Sequence, residues 1–355
     1  MHHHIELHEL ILAIVIVLIL VLLLIITVLG YSFYSYRILH NRQSWRQIIE
    51  YKILETIVGS DESNDRDREF AKHLQEPSFR ALFLDVLVDS DRKFSGAAKQ
   101  SINRLFHDFK LEAEAWRKLQ HRKAYLVAGG VQELAAMNVE QAIPEITDKL
   151  NDPRTAVYQE AQYAIVSFKG YEGLGFLEHF SRPLSDWQQL RLLYSIHDIP
   201  ERSDLHVDTW LKSTNDSVVI FTLRLIRKFR LMTCYTEVFH LLDHQSTKVR
   251  VQAIRTLQAI ENSTTIQQFI SIFDQQPIEA QNEILKAMKV ARSRECERFL
   301  KDQLWNHSEV SIKISAAEVL VVLGEMQYLH DISQNEDTYD ELKQIIKHAL
   351  QEKKC

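Results

Sequence analysis

Side chains that recur or converge are where chemistry in this chain would have to reside. One column of cations does recur: Arg191, Arg224, Arg255 and Lys286 follow one another at spacings of 33, 31 and 31 residues, with Arg227, Lys228 and Lys289 beside them. Guanidinium and ammonium groups set at regular intervals attract carboxylates and phosphates. The chemistry on offer is therefore capture of an acidic peptide, an acidic domain or a polyanion. Gln132, Tyr163 and Glu318 take the same column outside the central repeats, so the run has ends. Other candidates converge less. Cys234, His240 and His244 are metal-ligand types, the two histidines one helical turn apart. Cys234 falls near the start of a predicted helix and His244 just past its end, so a shared ion would require a distorted backbone. His2, His3, His4 and His8 could hold a metal, although histidine-rich termini are commonly solvated tails. Gly170-Tyr171-Glu172-Gly173-Leu174-Gly175 lacks the spacing and the preceding strand of a dinucleotide loop and reads as a flexible turn between helices. There is no P-loop, no Gly-x-Ser-x-Gly elbow and no His-Glu-x-x-His zinc-protease helix. No catalytic residue, cofactor or metal is expected.

The elements that would position the cations are short amphipathic helices. Nine glycines and six prolines in 355 residues leave few turns for a β-rich fold, so the expectation is all-α. Val249, Ala253, Ile254, Leu257 and Ile260 fall on one half of a helical wheel, with Arg255 opposite. The same pattern returns 31 residues earlier in Val218–Ile226, then later in Ala280, Ile284, Leu285 and Met288, and again in Ile312, Ala316, Ala317 and Leu320. Gln189, Leu190 and Leu193 lie 33 before the Val218 set, and Val157, Ala161 and Ile165 earlier still. A period near 31 carrying helix–turn–helix units predicts an α-solenoid of helical hairpins. Breaker and cap residues separate the helices at Asn151-Asp152-Pro153, Ser181-Arg182-Pro183, Asn215-Asp216-Ser217, Gln276-Pro277 and Asn306-His307-Ser308.

Ahead of the repeats runs Ile11 to Leu29, in which Thr27 is the only non-aliphatic residue. As a helix this run is about 28 Å long, close to the thickness of a bilayer's hydrocarbon core. No Lys or Arg precedes it, while Arg37, Arg42, Arg46 and Lys52 follow, with Tyr31, Phe33, Tyr34 and Tyr36 at headgroup level. Basic residues stay on the cytoplasmic side and aromatic rings favour the interface, so the expected topology is N-terminus out and the bulk of the chain in the cytoplasm. A cleaved signal peptide fits poorly, because the start is not basic and Gly30-Tyr31-Ser32 is a poor cleavage site. The expected organisation is a non-cytoplasmic tail (1–9), a transmembrane helix (10–30), a juxtamembrane amphipathic helix and polar linker (31–69), the solenoid (70–338) and a C-terminal capping helix (339–355). Whether the juxtamembrane helix lies on the bilayer or packs on the solenoid is open. Cys234, Cys296 and Cys355, odd in number and far apart, fit free thiols in a reducing compartment. All 42 basic residues and 46 of the 48 acidic ones follow the apolar run. The soluble part is thus net negative, which offers no global attraction to nucleic acid.

The stretch Leu241-Leu242-Asp243, Lys248-Val249-Arg250, Ala253, Leu257 and Ile260 resembles the HEAT repeat, whose first helix ends near an Asp and is followed by a Val-Arg pair and small or aliphatic core positions. Asn151-Asp152 with Val157 and Ala161, and Asn215-Asp216 with Val218, match without the Arg; later repeats lose the Asp as well. The resemblance covers roughly residues 120–325, and helical pairs at 77–119 look like divergent repeats of the same type. HEAT families are generally binding scaffolds, and the resemblance implies a non-enzymatic protein-binding role with the second helices, and hence the basic column, lining the concave side. The layout is also similar to bacterial membrane-anchored HEAT proteins that accompany processive membrane glycosyltransferases, through Trp116, Lys123-Ala124 and Gln132-Glu133-Leu134-Ala135-Ala136-Met137. That likeness implies the bacterial inner membrane, a single pass and a membrane-protein partner. The alternatives are a lyase of the HEAT-like class, for which no titratable residues converge, and a polyanion or nucleic-acid binder using the basic column. The sequence leaves the oligomeric state open.

Overall fold

The computed structural model describes the backbone over residues 7–59, 65–199 and 206–351, and within it all side chains except those of 7–10, 13, 32–40, 65 and 66. His2, His3 and His4, Ser60–Asn64 of the expected linker and Cys355 lie outside the described residues, as do the side chains of His8, Phe33, Tyr34, Tyr36 and Arg37. Among the described residues every regular element is a helix. They form two compact units, Met1–Phe168 and Lys169–Cys355.

The first unit begins with α1 (Leu7–Val58), an unbroken helix of 52 residues. Within it Ile14–Tyr31 has a mean hydropathy of 3.3 and none of it is buried, so it is long and apolar enough to cross a membrane. The Thr27 hydroxyl donates to the Leu23 carbonyl, which satisfies that hydroxyl without water. Farther along, α1 becomes part of a protein core. Ile49 and Ile53 are buried where α1 packs on α3 (Pro77–Asp91) and α4 (Ala97–Asp108). The Trp45 ring meets Phe79 edge-on at 5.7 Å. Apolar contact with α3 and α4 thus decides the open question about the juxtamembrane segment in favour of packing. Arg42 and Arg46 reach Asp85 and Asp89 of α3 at 3.9 and 3.8 Å.

The expected polar linker ends sooner than its composition suggests, because α2 (Asp65–His73) begins at Asp65. Two contacts hold α2 there. Lys52 donates to Asp67 at 2.8 Å, and Phe70 is buried against Phe79 and Phe83 at ring separations of 5.4 and 5.3 Å. Next come α5 (Glu112–Leu119) and α6 (Ala124–Ala136), which cross closely at Gly130, then α7 (Ile143–Asp148) and α8 (Thr155–Lys169).

The second unit opens with a 3₁₀ helix over Gly170–His179 where a flexible turn was expected. Gly170, at φ 58°, ends α8 in the left-handed region, and Leu174 and Leu177 are buried, which winds the segment into the core. Then follow α9 (Asp186–Ser195), α10 (Val207–Leu211), α11 (Asp216–Phe229), α12 (Tyr235–His240), α13 (Thr247–Ala259), α14 (Thr265–Ile272), α15 (Ile278–Ala291), α16 (Glu297–Asn306), α17 (Val310–Leu323), α18 (Met326–Gln334) and α19 (Asp340–Gln351). α11, α13, α15, α17 and α19 start at 216, 247, 278, 310 and 340, and each packs on the next, so the sequence period becomes a continuous helical layer. Ala253, Ala280 and Ala316 are fully buried in it, where the absence of a long side chain lets neighbouring helices approach. The Thr256 hydroxyl, also buried, donates across the layer to the Leu223 carbonyl at 3.0 Å. α12, α16 and α18 pack on α13, α17 and α19 to complete hairpins. α19, the segment expected to cap the solenoid, packs on α17 and α18 as the last member of the layer.

Candidate interaction face

The basic column sits on successive helices of the second unit: Arg191 on α9; Arg224, Arg227 and Lys228 on α11; Arg255 on α13; Lys286 and Lys289 on α15. The structure brings these residues together but does not leave them as an open strip. Arg224 pairs with Asp186 at 2.7 Å. The Arg255 guanidinium forks onto both oxygens of Glu283, at 2.8 and 3.0 Å, and Lys286 approaches the same carboxylate at 3.6 Å. Lys289 donates to Glu318 at 2.9 Å. Most of these carboxylates come from a neighbouring helix about one repeat away, so the column that reads as a basic ladder is largely a set of cross-layer ion pairs. Arg255 is accordingly half-buried rather than fully exposed opposite the core. Burial alone would push the Glu283 carboxyl up, but Arg255 and then Lys286 hold it below the usual carboxylate range.

Positive charge in excess of these pairs gathers at one place. Lys228 donates to the carbonyls of Leu193 and Ile196, at 2.5 and 2.6 Å, capping the C-terminal end of α9 where the helix dipole favours a cation. Arg227 is exposed and, among the described residues, makes neither an ion pair nor a hydrogen bond. Burial, then the charges of Arg255 and Arg224, push it down from the usual arginine value. Two adjoining hollows open here. One, of about 750 Å³, lies between α9, α11 and α13 and includes Asp186, Ile220 and Val251. The other, of about 440 Å³, is lined by Leu190, Leu193, Tyr194, Arg227 and Lys228. Arg224, Gln252 and Arg255 line both. Gln252 is 4% exposed and its Nε2 has no hydrogen-bond partner among the described residues.

Sequence pattern misplaced one part of this face. Leu190 and Leu193 align with Leu223 and Ile226 of α11 and were expected in the core. Leu223 and Ile226 are buried in one cluster with Val207 and Leu211 of α10, Val238 of α12 and Leu242 of the 3₁₀ turn after it. In α9 the matching positions stand outside that cluster: Leu193 is half-buried and Leu190 is 58% exposed. Trp187 and Tyr194, at 70 and 83% exposed, stand on the same side of α9. Periodicity reports which side of a helix is apolar, not whether anything covers it.

The remaining candidates are not assembled into a site. Cys234 is buried, while the His244 ring accepts from the Ser246 backbone N–H at 3.1 Å ahead of α13. Among the described residues no three His, Cys, Asp or Glu side chains are placed to share a metal ion. In the first unit, Lys118 binds Asp85 and Glu133 together; burial pushes Glu133 up to about 7 against the opposing pull of Lys118. This cluster ties α3, α5 and α6 to one another.

Among the described residues the fold is that of an all-α helical-repeat protein with one helix long and apolar enough to cross a membrane. No family model and no curated protein matches the chain. Among solved structures it is similar to an engineered protein, at 14% identity and a TM-score of 0.34 over 88% of this chain and 99% of that one. It is also similar to human deoxyhypusine hydroxylase, at 15% identity and a TM-score of 0.28 over 77% of this chain and 96% of that one. Superpositions this loose carry no functional argument, and the architecture rests on the packing described above.

Proposed function

We propose that the chain is a single-pass membrane-anchored scaffold whose helical repeats, HEAT-like in their second-helix layer and cap positions, bind a protein partner. The observation that carries the reading is the continuity of α1. One helix holds a wholly exposed apolar stretch at Ile14–Tyr31 and, about five turns further on, the buried Ile49 and Ile53 of the first unit's core. A tether of this kind holds the repeats next to the bilayer. Confinement there raises their effective concentration toward any partner in the same membrane without new contacts. The charge asymmetry flanking the stretch supports an N-terminus outside the bacterial inner membrane and both helical units in the cytoplasm. The surplus of positive charge around Arg227 supports a partner with an acidic surface, and the resemblance in layout supports a membrane enzyme, such as a glycosyltransferase that makes surface polysaccharide, as that partner. Catalysis and nucleic-acid binding form no part of this reading.

The test is made in intact cells. Photo-crosslinking residues placed across the second unit should join the chain to a membrane protein, and protease added outside sealed spheroplasts should leave both helical units whole. Digestion of those units from outside, or release of the chain by alkaline carbonate, refutes the anchored cytoplasmic scaffold.

A further inference from the structure

The part of the second unit where α9 meets α11 combines three features that occur together at protein-binding hot spots: exposed aromatic rings, an unpaired arginine and a hollow with an unsatisfied buried amide. Trp187, Leu190 and Tyr194 are spaced i, i+3 and i+7 and lie within about 60° on one side of α9. At the offset of 33 residues these three correspond to Ile220, Leu223 and Arg227 of α11, of which Leu223 is buried, Ile220 half-buried and Arg227 exposed. Beside these side chains the smaller hollow is lined by Arg224, Arg227, Lys228 and Arg255 and by no carboxylate; Asp186 and Glu283 pair with two of these cations, and Asp216 and Glu279 stand with Lys248 in the larger hollow, so the charge remains net positive. Gln252 Nε2 adds a buried, unpaired donor at the boundary of both hollows.

Resting on the scaffold reading above, we propose that this face is the docking site for an acidic amphipathic helix of the partner protein. The apolar side of that helix lies over Trp187, Leu190 and Tyr194, and its carboxylates reach Arg227 and Lys228. Docking of this type reads i, i+3, i+4 and i+7 anchors from an incoming helix. A bilayer surface fits less well, since a plane of headgroups cannot enter hollows between helices to reach Gln252 and Arg255. The acidic charge supplies steering and orientation, and the apolar contact supplies residence time.

The experiment uses the full chain in phosphatidylcholine nanodiscs and three fluorescein-labelled peptides of about 16 residues, long enough to form a helix when docked. One carries Glu on one face and Leu and Phe on the other; the second replaces Glu by Lys; the third keeps Glu and replaces Leu and Phe by Ser. The first should bind at least about tenfold more tightly than either of the others by fluorescence anisotropy. Arg227→Glu and the double variant Leu190→Ser/Tyr194→Ser should each weaken it about tenfold or more, while Val290→Ser, at another exposed apolar residue, should change it less than about twofold. All substituted positions are exposed, and unchanged circular dichroism melts confirm folding. Equal binding of the Glu and Lys peptides, or indifference to both groups of substitutions, overturns the proposal. So does Arg227-dependent co-flotation with vesicles containing phosphatidylglycerol, which would make the occupant a membrane surface. In cells, a crosslinker silent at Tyr194 but productive at Val290 defeats this site and leaves the scaffold intact; silence across the second unit defeats the scaffold.

Discussion

Two adjacent glycines in α6 should respond in opposite directions to the same substitution. Gly129 and Gly130 are both helical, so replacement by Ala removes the entropic penalty of glycine at each and favours folding by about 1 kcal/mol. At Gly129 an added Cβ meets nothing within 4 Å, and that gain stands alone. At Gly130 the Cβ would lie 2.6 Å from the Leu119 nitrogen and 2.8 Å from the Ala115 carbonyl oxygen. Both are backbone atoms of α5, so no rotamer change relieves the clash and the two helices must part by most of an ångström. Forced separation of a packed interface costs about 1–3 kcal/mol, enough to exceed the helical gain. Gly129→Ala should therefore exceed Gly130→Ala in stability by about 1–3 kcal/mol. At about 2–4 °C per kcal/mol for a unit of this size, that separates their melting points by several degrees. Circular dichroism melts of the full chain report the difference, and hydrogen exchange of peptides from α5 and α6 localises it. If Gly130→Ala melts with or above Gly129→Ala, the close crossing of α5 and α6 is wrong.

Three further outcomes follow from the same packing. Glu133 is held near 7 in the folded protein, above its unfolded value, so the folded state binds the proton more tightly and its contribution to stability falls as pH rises from about 4.5 to 7. Glu133→Gln should remove that fall, up to about 3 kcal/mol at 1.4 kcal/mol per pH unit, and urea titrations of both proteins across that range measure it. A double-mutant cycle on Arg255→Ala and Glu283→Ala should give a coupling of about 0.5–1 kcal/mol that shrinks in high salt, because the pair is forked but its arginine is 42% exposed; additive losses would contradict the observed ion pair. Ile49→Ala with Ile53→Ala should open cavities costing about 2–5 kcal/mol each. That loosens the far half of α1 from the first unit, so limited proteolysis should begin cutting between Trp45 and Val58, whereas the exposed Leu54→Ala should leave the digestion pattern unchanged.

The boundary between what the residues disclosed and what they concealed is physical. Alternation of apolar and polar side chains is a local property, and it placed α11, α13, α15 and α17 with their buried faces correctly, down to Ala253 and Leu257. A run of aliphatic residues is equally local, so the stretch that can cross a membrane was visible before any contact was known. The cation column was legible too, since its spacing is the repeat itself. Its state was not. Asp186, Glu283 and Glu318 lie tens of residues from Arg224, Arg255 and Lys289, and nothing local in the sequence marks them as their partners.

Leu190 shows the same limit from the apolar side, for its position in the pattern matches that of Leu223 while its surroundings differ. Chain order dictated helices, their period and their apolar faces, because each depends on residues within a turn or two. Pairing, cover and close approach depend on which helices meet. Packing alone therefore singled out Arg227 among seven cations, left the α9 stripe open, drew Trp45 and Ile49 into the first unit, and required a glycine where α5 crosses α6.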